Sequence, residues 1–215
     1  MAVDMTTLRP ELEPLPARMR GLVVHRGYPT PFFVAWQNGA PEFRAMDPDK
    51  LVRCIQERLC WVCGEPLGVH LVFVVGPMCG LNRISAEAPC HLDCARWSCR
   101  NCPFLSRPHA HRRDSDLVEG EYHDAPGLAI KRNPGVTLLW TARSYSLIQV
   151  GHGVLFQLGE PTATEWWAEG KPASREQVAE SVETGLPLLQ VEAACQADLD
   201  TLQRARTWLE TRYPT

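Results

Sequence analysis

The apolar positions of the chain come in short blocks separated by polar, proline-rich stretches, and the spacing within each block predicts its structure. Leu22-Val-Val24 and Phe32-Phe-Val-Ala-Trp36 are β-branched and aromatic runs that read as strands. Asn38-Gly39 follows the second and predicts a tight hairpin with Phe43 on the returning strand, because both central positions of a type I′ turn need positive φ. Asp47-Pro48 offers an N-cap and a first-turn proline, with Leu51, Cys54, Ile55 and Leu59 at helical spacing behind them. His70-Leu-Val-Phe-Val-Val75 suits a buried strand, and a helix is expected from His91 to Arg100.

In the second half, Val136 to Ala142, Tyr145 to Val150 and Val154 to Leu158 read as three strands joined by short turns. Ser174 with Gln177 makes a capping box that starts a helix, and Gly185-Leu-Pro187 is expected to stop it. A last helix is expected over about 187–211, docking through a stripe of Leu188, Val191, Cys195, Leu199, Leu202 and Leu209. The prolines at 10, 14 and 16 make residues 1–20 a mobile arm, and the polar stretch 107–134 reads as a linker or long loop. The expected fold is therefore α+β. A zinc-binding half over 21–106, with hairpin and helix, precedes an antiparallel sheet over 135–215 packed by two helices, and the two parts can form one domain.

A length of 215 residues with 45% hydrophobic content is enough for a sizeable core. The first twenty residues hold no apolar run that could serve as a signal peptide or membrane span, so a cytoplasmic setting without membrane partners is expected. Nine cysteines, an odd number without a secretion signal, argue for metal ligation rather than a disulfide framework. The net charge of −3 gives no global attraction to nucleic acid, but Arg96, Arg100, Arg107, Arg112 and Arg113, with His109 and His111, form a local basic cluster that reads either as a solvated loop or as a surface for nucleic-acid phosphates or another anion.

The chemistry concentrates in two short pairs. Cys60-Trp-Val-Cys63-Gly is a knuckle, answered by His91-Leu-Asp-Cys94 on the opening turn of the expected helix, where residues three apart face the same side. Cys60, Cys63, His91 and Cys94 are thus the preferred Zn2+ ligands. Cys99 and Cys102 form a second candidate pair, but Cys102 on an unbroken helix would lie about 12 Å along the axis from Cys94, too far to share its ion. Either the helix ends early and the later pair replaces His91 and Cys94, or that pair is core or part of a second site. Cys54, Cys79 and Cys195 read as small apolar core residues. Trp166-Trp167, beside Glu165 and Lys171, reads as packing between sheet and last helix, with an exposed binding platform as the alternative.

The order of knuckle, hairpin and ligand-bearing helix over residues 58–100 resembles a treble-clef zinc finger. Cys63-x-Glu65 followed by Pro89-Cys90 resembles the order in zinc deaminases, but Cys94 comes one residue too late for that motif. His70, Asn82 and His91 resemble the histidine-asparagine-histidine set of HNH nucleases. Val69 stands where that family places a cation ligand, and His91 cannot serve both the zinc and the phosphodiester. More broadly, Arg26-Gly-Tyr-Pro, Cys60-Trp-Val-Cys-Gly-Glu-Pro-Leu-Gly68, Gly76-Pro-Met-Cys79, Asn82-Arg-Ile-Ser-Ala-Glu87 and Cys102-Pro-Phe-Leu105 resemble a group of uncharacterised phage and prophage proteins. That resemblance implies a mobile-element origin and brings no catalytic residue. The function expected is a zinc-stabilised, non-catalytic module binding nucleic acid or a host protein. The alternative is a metal-dependent hydrolase of HNH type.

Overall fold

The computed structural model describes residues 7–107, 132–151 and 153–215. Two small hairpins open the described chain. β1 (Val24–His25) pairs with β2 (Tyr28–Pro29) through Arg26 and Gly27, both at positive φ. β3 (Val34–Gln37) pairs with β4 (Ala40–Met46) through Asn38 at φ 49° and Gly39 at φ 77°, the left-handed pair that the Asn-Gly signal predicts. Asp47 then caps α1 (Pro48–Gln56), its side chain accepting from the backbone N–H groups of Asp49 and Lys50.

The core is built on a four-stranded sheet in the order β11-β10-β7-β5, from β5 (Leu71–Val75), β7 (Thr137–Ala142), β10 (Pro161–Ala168) and β11 (Lys171–Pro172). Its registered pairs are antiparallel. Every residue of β7 is buried, which requires cover on both faces and explains its lack of polar alternation. One face carries α2 (Pro77–Asn82), α5 (Arg175–Gln190) and α6 (Gln196–Glu210). Leu138 meets α2 at Gly80, and the Trp140 ring lies 5.4 Å from that of Trp208 on α6. α3 (Leu92–Asn101) also packs on β5 and β7. A short α4 (Pro103–Ser106) follows it.

A three-stranded sheet, β6 (Ile84–Ser85), β9 (Gly153–Leu158) and β8 (Tyr145–Val150) in that order, joins the core through a Phe73, Tyr145 and Phe156 ring cluster. Among the described residues no helix is long and apolar enough to cross a membrane.

Four expectations need correction. The arm over 1–20 is pinned in its described part: Met19 is buried in a short 3-10 turn, and Leu12 and Leu15 pack on the core. Trp97 Nε1 donates to Glu13 O, and Glu13 N donates to Asn101 Oδ1. Gly185-Leu-Pro187 does not stop α5, which runs on to Gln190. Gly185 instead allows a close helix crossing, since a Cβ there would come within 2.9 Å of Met78 Sδ. The last helix consequently begins at Gln196, not near 187, and the predicted stripe splits between two helices. Leu209 is fully buried, whereas Leu188 and Val191 are 44% and 80% exposed. Cys79 and Cys195 are likewise exposed, while Cys54 is core as expected. The expected linker over 107–134 lies largely outside the described residues.

These positions separate cleanly in a denaturation experiment. Leu209→Ala should cost about 2–5 kcal/mol of stability, whereas Leu188→Ala and Val191→Ala should each change it by less than about 0.5 kcal/mol.

Candidate metal centre

The site begins with a reversal of the chain at residues 59–66. Leu59 and Pro66 form an isolated antiparallel bridge, Cys60 N donates to Glu65 O at 2.8 Å, and Gly64 N donates to Cys60 O at 2.8 Å. Gly64 sits at φ +77°, and a Cβ there would lie 2.7 Å from the Phe32 ring, so both backbone and space require glycine. This tight turn aims Cys60 and Cys63 at the same point.

The second pair arrives through the sheet. The expected hairpin between the ligand pairs is opened out. β5 leaves, α2 and β6 are inserted, and the chain returns to β5 only at one bridge. There Val72 N donates to Cys90 O at 3.0 Å and Cys90 N to Val72 O at 2.8 Å. Trp61 N also donates to Pro89 O at 3.1 Å, tying the knuckle to the returning strand. His91 is the N-cap residue of α3 and Cys94 lies on its first turn, so the two side chains project from one end of the helix.

The Sγ atoms of Cys60, Cys63 and Cys94 and a ring nitrogen of His91 all lie within 4.8 Å of one another. Cys63 Sγ and His91 Nδ1 are 3.4 Å apart. A tetrahedral ion with bonds of about 2.0–2.3 Å separates its ligand atoms by roughly 3.5–3.8 Å, so the cluster is already near coordination size. His91 Nε2 lies 3.1 Å from Pro66 O, a carbonyl that can only accept. That contact calls for a proton on Nε2, so once Nδ1 gives up the hydrogen it points at Cys60, its lone pair would face inward, the usual support of a ligating histidine.

The electrostatics of the ion-free cluster are asymmetric. Burial opposes ionisation of Cys60, but hydrogen bonds from Cys63, Cys94 and His91 outweigh it and hold this thiol far below its ordinary value. Its Sγ also accepts from the backbone N–H groups of Cys63 and His91, each at 3.4 Å. The Cys63 thiol, which donates to Cys60, is pushed up to about 11. Cys94, donating to Cys60 and Cys63, is also raised, and the Cys60 thiolate raises His91. One thiolate is thus tolerated without an ion. Three would repel, and a divalent cation is what allows all three to ionise.

The four residues preferred from the sequence are the ones that cluster. The second candidate pair is not part of the cluster. Cys99 is buried in α3, where burial pushes its thiol up to about 12, and Cys102 caps the end of that helix. Cys90 donates from Sγ to Val72 O and belongs to the strand return. Among the described residues no other group of histidine, cysteine and acidic side chains gathers for a metal, and His70 and Asn82 are exposed outside the cluster.

The basic cluster is altered more. Arg96 makes two hydrogen bonds to Glu165, at 2.6 and 2.9 Å, and holds that carboxyl below its usual range. Arg100 pairs with Glu13 at 2.7 Å and lies over the Trp167 ring. Arg107 is exposed, while His109, His111, Arg112 and Arg113 lie outside the described residues. Trp166 and Trp167 are both buried, as expected of core packing. Sequence reasoning missed Arg18, which pairs with Asp93 and Glu65 across the two ligand-bearing segments. No local pattern marks it, because both partners are distant in sequence.

Comparison with protein-family models, with curated proteins and with solved structures finds no match.

Because the Cys63 and Cys94 thiols are raised in the ion-free chain and must ionise to bind, metal uptake near pH 8 should release at least about two protons per ion, any proton on His91 Nδ1 adding to them. Calorimetry in buffers of different ionisation enthalpy measures this. Affinity should fall as pH is lowered, and uptake without proton release would contradict the assignment.

Proposed function

We propose that the chain is a zinc-stabilised, non-catalytic binding module whose partner is a protein. The observation that carries this reading is the four-donor cluster of Cys60, Cys63, His91 and Cys94. Three sulfurs and one imidazole suit the borderline-soft Zn2+ ion, and four protein donors leave no position for water or substrate, as in structural rather than catalytic sites. Bound there, zinc would supply charge neutralisation and a cross-link between the knuckle and α3.

The choice of partner follows from what the arginines already do. Arg96 and Arg100 are neutralised by Glu165 and Glu13, so two of the five basic side chains proposed for phosphate contact are committed internally. Trp36 and Phe43, by contrast, lie on the β3–β4 hairpin at 45% and 41% exposure, an aromatic pair of the kind protein partners cover. The likeness to phage and prophage proteins supports a host-cell cytoplasm as the setting. The hydrolase alternative gains no support: His91 has Nδ1 against Cys63 and Nε2 against Pro66 O, which leaves neither nitrogen for proton transfer.

The purified protein should contain about one zinc ion per chain, and chelation should lower its thermal midpoint. Unchanged stability after complete metal removal would overturn the proposal. Labelled oligonucleotides should not bind at low salt. Salt-sensitive binding that is lost in an Arg112→Ala, Arg113→Ala variant would assign nucleic acid as the partner instead.

A further inference from the structure

A groove of about 400 Å3 opens far from the metal centre in sequence, lined by Pro161, Thr162, Ala163, Thr164, Thr211 and Arg212. Its wall is the first half of β10, and its end is the residue pair just beyond α6. β10 pairs with β7 from Pro161 to Trp167, but β11 covers its other edge only at Trp167 and Ala168. Ala173 N donates to Trp166 O, which marks the side of β10 turned away from β7. Strand alternation puts the N–H and C=O of Thr164 on that same side, beyond the end of β11. Among the described residues no strand lies along this stretch of edge.

Arg212 is fixed in place before any ligand arrives. Its backbone carbonyl accepts from Trp166 Nε1 at 2.8 Å, and its Nη1 donates to Trp208 O at 3.0 Å and to Thr211 Oγ1 at 2.8 Å. Its guanidinium lies 3.5 Å from the Trp208 ring centroid. Among the described residues, Nε and Nη2 have no protein hydrogen-bond partner and Arg212 is in no ion pair. The carboxylates that flank the lining residues in sequence are already paired, Glu160 with Arg83, Glu165 with Arg96 and Glu210 with Arg206. Arg83 lies over the same Trp208 ring at 4.4 Å, so two guanidinium groups converge on one indole. The groove therefore combines an open strand edge with a preorganised cation that lacks a counter-ion.

We propose that this groove binds an extended peptide by its C-terminal carboxylate, with the carboxylate on Arg212 and the peptide main chain along Thr164. A guanidinium edge matches the two oxygens of a carboxylate. The open strand edge offers both a donor and an acceptor, which complement a peptide backbone and have no use for a phosphate. The small lining residues leave room for the peptide side chains. The inference names the partner chemistry for the protein-binding reading above, and the zinc and oligonucleotide experiments judge that reading separately.

The test uses the full-length, isotopically labelled protein with its metal intact, followed by NMR. The probes are an acetylated tetrapeptide of alternating valine and threonine with a free carboxylate, the same peptide amidated, and inorganic phosphate. The free acid should shift the Thr164 amide and Arg212 Nε signals, with binding at least about tenfold weaker for the amide, for phosphate and for Arg212→Ala. Arg212→Ala also removes packing on Trp208, so the comparison of acid with amide on the unaltered chain is decisive. No shift at millimolar peptide, equal binding of acid and amide, or phosphate binding as tightly as the acid would overturn the proposal.

Discussion

The structure depends on one convergence: donors from a turn at 60–63 and from a helix start at 91–94 must meet within the reach of a single ion. Cys60 is the hub. Its buried sulfur accepts from backbone N–H groups of both segments, so the knuckle and the end of α3 are joined even before metal charge is considered. The spacing is set by the backbone, through the Val72 and Cys90 bridge and the Trp61 to Pro89 hydrogen bond. Each is modest alone, but together they leave the side chains little freedom, and that preorganisation makes a four-donor site selective.

α3 carries this constraint into the rest of the fold. Its first turn holds the ligands, its middle is clamped to β10 by Arg96 and Glu165, and its end receives the N-terminal segment through Trp97, Arg100 and Asn101. Arg18 adds a second link, reaching Asp93 on α3 and Glu65 on the knuckle. An ion held by the four donors would therefore brace a helix that the central sheet and the N-terminal segment both use. A metal placed at this junction would act as a cross-link, and its contribution to folding would be the free energy of binding itself.

Features written in a few neighbouring residues were legible in the sequence. Asn38-Gly39, Asp47-Pro48, the Ser174 and Gln177 box and the two ligand pairs each encode a local geometry, and each forms as read. What was not legible depends on distant partners. Gly185 reads as a helix stop until Met78 is seen packed against it. Arg96 and Arg100 read as a phosphate-binding surface until Glu165 and Glu13, far off in sequence, neutralise them. β10 carries polar residues at 162, 164 and 165 and does not read as a strand, yet pairing with the apolar β7 makes it one. The N-terminal prolines forbid a regular helix, but they do not prevent Met19 from reaching the core.

The most direct measurement of the central claim is the visible spectrum of the protein loaded with cobalt(II), a spectroscopic stand-in for zinc. Three thiolates and one imidazole around one ion predict intense tetrahedral ligand-field bands together with sulfur charge-transfer bands. These should saturate at about one equivalent and be lost on replacing Cys60 by serine. A weak octahedral spectrum, or an intense one unchanged by that replacement, would contradict the account.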